Sequence, residues 1–213
     1  RRGFASERGS LYKAMSEVVR IVRPKAFIAE NVQGMLSMPG VLEKIIHEFA
    51  QHGYEVRAYP VNAQDYGVPQ SRKRIFLIGL NKKAIRRRID YGDLKPKPSH
   101  ERSPVVLKRI FKDLKEPSVS EDYAQKLYSK AKWYGKKRQG NTEVNLNGVG
   151  PTIRAEHHGN IEFRRLSKAN GGLYLDELES GMVERRLTIR ECARIQSFPD
   201  EFKFLRDGAE ELV

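Results

Sequence analysis

Early in the chain the apolar positions Leu11, Met15, Val18 and Val22 recur at helical spacing over residues 10–23 until Pro24 stops them, which predicts a helix. The pattern then shortens to a seven-residue run, Ala26 to Val32, read AFIAENV, with a carboxylate and an amide at its far end. Such a run suits a buried parallel strand. Pro39 can open a second helix whose stripe is Val41, Leu42, Ile45, Ile46 and Phe49, closed by Gly53. A strand over Glu55 to Val61, a turn-rich stretch from Asn62 to Arg72 and a strongly apolar strand from Ile75 to Leu80 follow. Strands alternating with helices predict half of a doubly wound α/β sheet with parallel pairing, and ligands gathered outside the carboxyl ends of the strands, where Glu30 and Asn31 would sit.

From Asn81 the texture changes. Residues 82–115 hold twelve Lys and Arg against Asp90, Asp93, Glu101 and Asp113, with Pro96, Pro98 and Pro104 breaking any period, which marks a domain boundary. Between 123 and 138 stand Lys126, Lys130, Lys132, Lys136, Lys137 and Arg138 without an acidic residue, interleaved with Tyr123, Tyr128, Trp133 and Tyr134. That mixture suits a nucleic-acid surface, or else a solvated helix face with its aromatics packed inward. Gly140 to Gly150, the segment PTIRA from Pro151 to Ala155, and Gly171-Gly172 before Leu173 to Leu175 read as loops and short strands. Leu187, Ile189, Cys192, Ala193 and Ile195 punctuate a short helix, with Thr188 as its N-cap, Glu191 completing a capping box, and Pro199 beyond its end.

Composition sharpens this picture. The 213 residues carry 40 Lys and Arg against 27 Asp and Glu, a formal net charge of +13, so an extended partner is expected to be a polyanion, with nucleic acid first. With 39% hydrophobic residues the chain can bury a core, and its single cysteine excludes an intrachain disulfide and a cysteine-rich zinc site. No apolar run approaches the roughly 18–20 residues of a membrane span, so no membrane partner is expected.

Taken singly, the candidate groups are open to two readings each. Glu30 at a strand end is either a general acid or a solvated carboxylate. Glu156-His157-His158 lacks the i,i+4 spacing of a zinc helix, so no metal is expected there. The chain has neither a GxGxxG turn nor a P-loop, and Cys192 falls on the apolar stripe of its helix, as a core cysteine does.

In order, however, the chain carries Arg8-Gly9-Ser10-Leu11-Tyr12, Glu30-Asn31-Val32, Pro69-Gln70-Ser71-Arg72-Lys73-Arg74-Ile75, and the long segment Arg186 to Asp200, RLTIRECARIQSFPD. This series closely resembles the cytosine-5 DNA methyltransferases. The resemblance implies an α/β fold: the C-terminal half of a Rossmann-like S-adenosylmethionine-dependent methyltransferase sheet, over residues 1–80. It further implies a small irregular α+β target-recognition domain over 81–185, and a scaffold helix segment over 186–213 returning toward the catalytic domain. The implied reaction moves a methyl group from S-adenosylmethionine to C5 of a cytosine flipped out of double-stranded DNA, in a bacterial restriction-modification setting within the cytoplasm, associated with the nucleoid.

By the same resemblance Glu30 is the acid that meets charge growing at N3 of the base, a task that burial in a closed pocket favours by raising its pKa. Arg72 and Arg74 are the alternating pair that serves the base O2 and the nucleophile loop; alternation would set both on one face of an extended segment. Asn31 holds loop geometry, Gln70 is a positioning residue among the DNA-binding set, and Leu11 packs near the cofactor. Gln139 with Gly140 matches the loop that fills the hole left by the flipped base. Thr152, Arg154, Gly171 and Gly172 match the recognition domain's frame, suited to phosphate contacts, and Arg190 makes a buried polar contact in the scaffold segment, leaving Cys192 structural.

Three parts of the family's pattern are absent: the Gly-rich cofactor turn, the Pro-Cys nucleophile loop and the C-terminal closing segment. The chain alone is therefore expected not to methylate DNA and to need an N-terminal catalytic half and a closing segment as partners. A DNA-binding module without activity, or a tRNA cytosine-5 methyltransferase of the same superfamily, are the alternatives.

Overall fold

The computed structural model describes residues 11–85, 89–154 and 161–204. Expectations that rest on Arg8, Gly9, Ser10, Ala155, Glu156, His157 and His158 fall outside them. The described residues form two compact units, one drawn from Arg1–Asn62 and Lys73–Pro98, the other from Ala63–Arg72 and Ser99–Val213. The first unit thus runs on past the boundary expected near residue 80, and the described part of the expected scaffold segment clusters with the second.

In the first unit α1 (Leu11–Val22), β1 (Ala26–Val32), α2 (Val41–Gln51), β2 (Tyr54–Asn62) and β3 (Lys73–Asn81) follow in order. The elements match the periodicities, but the pairing does not: the sheet order is β1-β3-β2, and both pairs are antiparallel. The parallel sheet expected from alternation is corrected here for a specific reason. The helix α2 links β1 to β2, so those two strands run the same way. Residues 63–72 contain only a 3-10 turn at Ala63–Tyr66, and a chain that turns back without a crossover helix can only add an antiparallel neighbour. β3 therefore returns between the other two.

One face of this sheet packs under α1 and α2 in a core of Val19, Phe27, Met35, Val41, Ile45, Phe49, Tyr54, Val56, Ile75 and Leu77. Phe27 is fixed by its neighbours: its ring lies 4.5 Å from that of Phe49 and 5.3 Å from that of Tyr54. Across the ladder it faces Gly79, where a Cβ would stand 2.1 Å from the Phe27 ring, so only glycine fits. α1 enters this core through Tyr12, Met15, Ser16 and Val19, and the stripe read from sequence is turned outward at Leu11, Val18 and Val22. β1 is likewise exposed rather than buried, with Ile28 and Val32 open to solvent on the face away from the helices.

The second unit is irregular. It contains α3 (Leu107–Phe111), α4 (Tyr123–Lys126), α5 (Leu175–Glu179), α6 (Ile189–Ile195) and a two-stranded ribbon of β4 (Phe163–Arg165) and β5 (Arg185–Arg186). Its apolar core is small: Leu107, Phe111, Val144, Leu146, Leu187 and Ile195, with Cys192 against it. Charge fills the rest. Arg165 binds Glu177 at 2.6 Å and Glu116 at 3.1 Å, and Arg185 binds Glu116 at 3.1 Å and Glu191 at 2.9 Å, all with little exposure of the arginines. Burial alone would raise the Glu116 carboxyl, but hydrogen bonds and charge from Arg185 and Arg165 bring it down to about 2.

Candidate active site and nucleic-acid interface

In an antiparallel ladder directly opposed residues share a face, so the register Glu30↔Phe76 and Val32↔Arg74 places Glu30 and Arg74 as diagonal neighbours on one side of the sheet. Their side chains meet: Arg74 Nε lies 2.5 Å from Glu30 Oε1. Because β3 runs against β1, the start of β3 and the end of β1 share one end of the sheet. The carboxylate at the far end of AFIAENV and the arginine before the apolar strand are brought together by topology alone. Asn31 Oδ1 accepts from the Val32 N–H at 2.8 Å and fixes the chain where it leaves β1 for the 3-10 turn Gln33–Ser37.

Two expectations change at this point. Glu30 keeps 48% of its side chain exposed and stands in an ion pair, so the described residues do not enclose it in the closed pocket expected. Arg72 precedes β3 and belongs to the second unit, its carbonyl accepting from the Ala63 N–H at 3.1 Å; the alternation expected across 72–74 is interrupted because the strand begins at Lys73. Leu11, at the first turn of α1, is 65% exposed.

In the second unit Gln70, Thr152 and the Gly171-Gly172 pair hold the backbone together. Gln70 is 1% exposed and pairs through its backbone with Gly150. Thr152 Oγ1 donates to the Ser71 carbonyl at 2.7 Å. Gly171 has a φ of +80°, and a Cβ on Gly172 would lie 2.0 Å from the Leu166 carbonyl oxygen, so this pair is a turn that only glycine can make. Arg154 and Gln139 are exposed. Arg190 is buried, with Nε 2.6 Å from Asp122. Cys192 packs on the core, and burial pushes its thiol up, which suits a packing residue and opposes a thiolate.

Most of the basic and aromatic stretch is exposed and irregular. Its helix, α4, ends at Lys126, and from Ser129 to Gln139 the backbone is irregular, with Lys130, Lys132, Lys136, Lys137 and Arg138 all exposed. A solvated helix face is therefore confined to Tyr123–Lys126. Lys130 Nζ sits 3.4 Å from the centre of the Tyr128 ring. What the sequence did not announce is the set of buried groups tied to this loop: Arg186, Asn141 and Glu162. The one sequence signal was the paired arginines, 164–165 and 185–186, each beside apolar residues. Among the described residues no cluster of His, Cys, Asp and Glu could hold a metal ion, and no helix is long and apolar enough to cross a membrane.

The chain is 32% identical over 219 residues to the type II methyltransferase M.MthTI of Methanothermobacter thermautotrophicus, covering 95% of this chain and 64% of that protein. It thus spans somewhat less than two thirds of the length of that relative. Its fold is shared with a prophage-encoded protein of E. coli described as a DNA modification methyltransferase, at a TM-score of 0.57 and 22% identity over 95% of this chain and 68% of the other. It is shared too with the S. pombe Dnmt2 methyltransferase, at 0.54 and 17%, over 90% of this chain and 61% of that one. A sequence profile of the C-5 cytosine-specific DNA methylases matches residues 1–211, and the chain belongs to that family.

Proposed function

We propose that this chain is the part of a DNA cytosine-5 methyltransferase that engages the target base and the duplex, acting in a restriction-modification system. The observation that carries the reading is the Glu30–Arg74 pair, a carboxylate and a guanidinium held together on one face at one end of a sheet. Cytosine is a poor electrophile, so attack at C6 requires the charge growing on the ring to be met at N3 by a proton or a hydrogen bond. Glu30 supplies that group. Arg74 fixes the carboxylate's direction. Closing of the site over a base would bring the burial that Glu30 lacks here. The sheet is read as the C-terminal half of a Rossmann-like methyltransferase domain, and the second unit as the target-recognition domain.

The methyl donor that the family implies is S-adenosylmethionine. Leu11, the residue assigned to its site, is open to solvent, and no step is assigned through the donor. The nucleophile is not supplied here either: the chain's single cysteine is Cys192, which packs on the core.

The test is tritiated methyl transfer from S-adenosylmethionine to duplex DNA and, in parallel, to tRNA. This chain is assayed alone and after mixing with a separately produced piece bearing the cofactor and Pro-Cys motifs and the closing segment. Label in DNA from the mixture only, lost by orders of magnitude with Glu30→Gln while DNA binding persists, is the expected result. DNA binding without label in any mixture would leave a binding module, and label in tRNA alone would move the substrate to RNA.

A further inference from the structure

Three of the four arginines of the β4–β5 ribbon are matched by carboxylates: Arg164 by Glu177, Arg165 by Glu177 and Glu116, and Arg185 by Glu116 and Glu191. Arg186 is the exception. It is 1% exposed, and among the described residues no carboxylate lies within ion-pair distance of it. Its partners are neutral: the carbonyls of Ala131 at 2.7 Å, Gly140 at 2.6 Å, Lys132 at 3.4 Å and Ile161, and Asn141 Oδ1 at 3.4 Å. The Phe163 ring centre lies 4.0 Å from its Cζ. Burial pulls its pKa below the ordinary arginine value.

A charge placed this deep with only neutral hydrogen-bond acceptors is a poor choice for stability, because desolvation is large and the carboxylates of Glu162 and Glu184 offset it only from beyond ion-pair distance. Its donors converge on one object. Four of the five acceptors lie on the two roots of the segment 131–141, and other buried groups tie the same segment from within: Asn141 Nδ2 donates to the Lys136 carbonyl at 2.7 Å, and Glu162 accepts from the Gly140 N–H at 2.8 Å. Between these roots the segment has no helix or strand, and it exposes Lys132, Lys136, Lys137, Arg138 and Gln139. An irregular loop held by its carbonyls from inside keeps its cationic side chains outside and in fixed spacing. Only a planar five-donor fork can reach so many carbonyls at once; an ammonium has three donors and one centre.

We propose that Arg186 is the positioning residue that preorganises the loop 131–141 as a phosphate-binding surface for duplex DNA, so that several cations engage the backbone together. This deepens the DNA reading above and rests on it. Preorganisation removes ordering cost at binding, and each phosphate engaged by a cation adds about 0.9 to the slope of log K against log salt.

The test compares the 213-residue chain with Arg186→Lys and with a variant in which Lys132, Lys136 and Lys137 are changed to Gln. A fluorescent DNA duplex is the probe, across a salt series. Amide hydrogen exchange over 131–141 and the thermal midpoint are measured on the same samples. Arg186→Lys keeps the charge and loses the fork. It is expected to weaken binding about tenfold, to lower the salt slope by about one to two, and to speed exchange in 131–141 while exchange in β4 and α6 is kept. Its slope should approach that of the lysine variant. An unchanged slope with a lowered midpoint and a general rise in exchange would reduce Arg186 to a core support and overturn the proposal. If the unaltered chain bound no duplex at any salt, the DNA reading itself would fall. The exchange data would still decide whether Arg186 holds the loop.

Discussion

At the scale of single residues, the second unit depends on charge where most small domains depend on apolar packing. Glu116 is shared by Arg165 and Arg185, and its carboxyl is held at about 2 against an ordinary value of 4.5. A folded-state pKa below the unfolded one means that the stabilisation is complete above about pH 4.5 and is lost as pH falls through about 2. Glu177, beside Arg164 and Arg165, is lowered as well and adds in the same direction. The thermal midpoint is therefore expected to fall across this window. Glu116→Gln, which leaves two buried guanidiniums short of a charge, is expected to cost about 2 kcal/mol at neutral pH and to flatten the acid limb. Melting curves between pH 2 and pH 7 for the two proteins check this. A variant that melts like its parent at pH 7 and keeps the same acid limb would show that the network is solvated and carries no stability.

At the scale of elements, α6 shows how local and tertiary signals can agree. Thr188 Oγ1 accepts from the Glu191 N–H at 3.0 Å, Glu191 accepts from the Thr188 N–H at 2.8 Å, and the same hydroxyl donates to Gln125 Oε1 at 2.6 Å. Thr188→Ala is expected to lose the cap, about 1 kcal/mol, and to leave the buried Gln125 carbonyl unpaired, which adds ~1 kcal/mol. Thr188→Ser should restore most of both, as read by urea unfolding with an unchanged m-value. This capping box was legible from Thr188 and Glu191 because its partners lie three residues apart. So were the lengths of α1, β1 and α2, whose periods are local. The direction of β3 was not legible, since no residue within a strand states which way it runs; it follows from the missing helix in 63–72. The Glu30–Arg74 pair was half legible: the motifs named both residues, but their contact comes from ladder register. Of the buried arginines Arg190 was named by its motif, whereas the burial of Arg164, Arg165, Arg185 and Arg186 was not legible, because by composition an Arg-Arg step resembles any exposed basic patch.

At the scale of the whole chain, the same sheet that gathers Glu30 and Arg74 leaves apolar surface open. β1 is an edge strand whose described pairing is with β3 alone, and Ile28 and Val32 on its face away from the helices are 65% and 55% exposed. α1 adds Leu11, Val18, Ile21 and Val22 on a separate outward side. An uncovered edge with apolar side chains beside it is a template for association, since its unpaired N–H and C=O groups accept another strand without any rearrangement. The net charge of +13 opposes this at low salt by keeping copies apart, and screening removes that protection. The two effects together predict a particular salt response: the isolated chain should bind a hydrophobic dye at all salts, stay monomeric near 20 mM salt, and associate as salt rises toward ~0.5 M, where the screening length falls to about 4 Å. Val32→Lys places a charge on the edge strand itself and should raise the salt at which association begins, whereas Val18→Lys on α1 should lower dye binding with less effect on association. Sedimentation across a salt series separates the two. Equal shifts for both variants would show that charge alone governs the behaviour, and no association at any salt would mean that the edge is already protected within the chain.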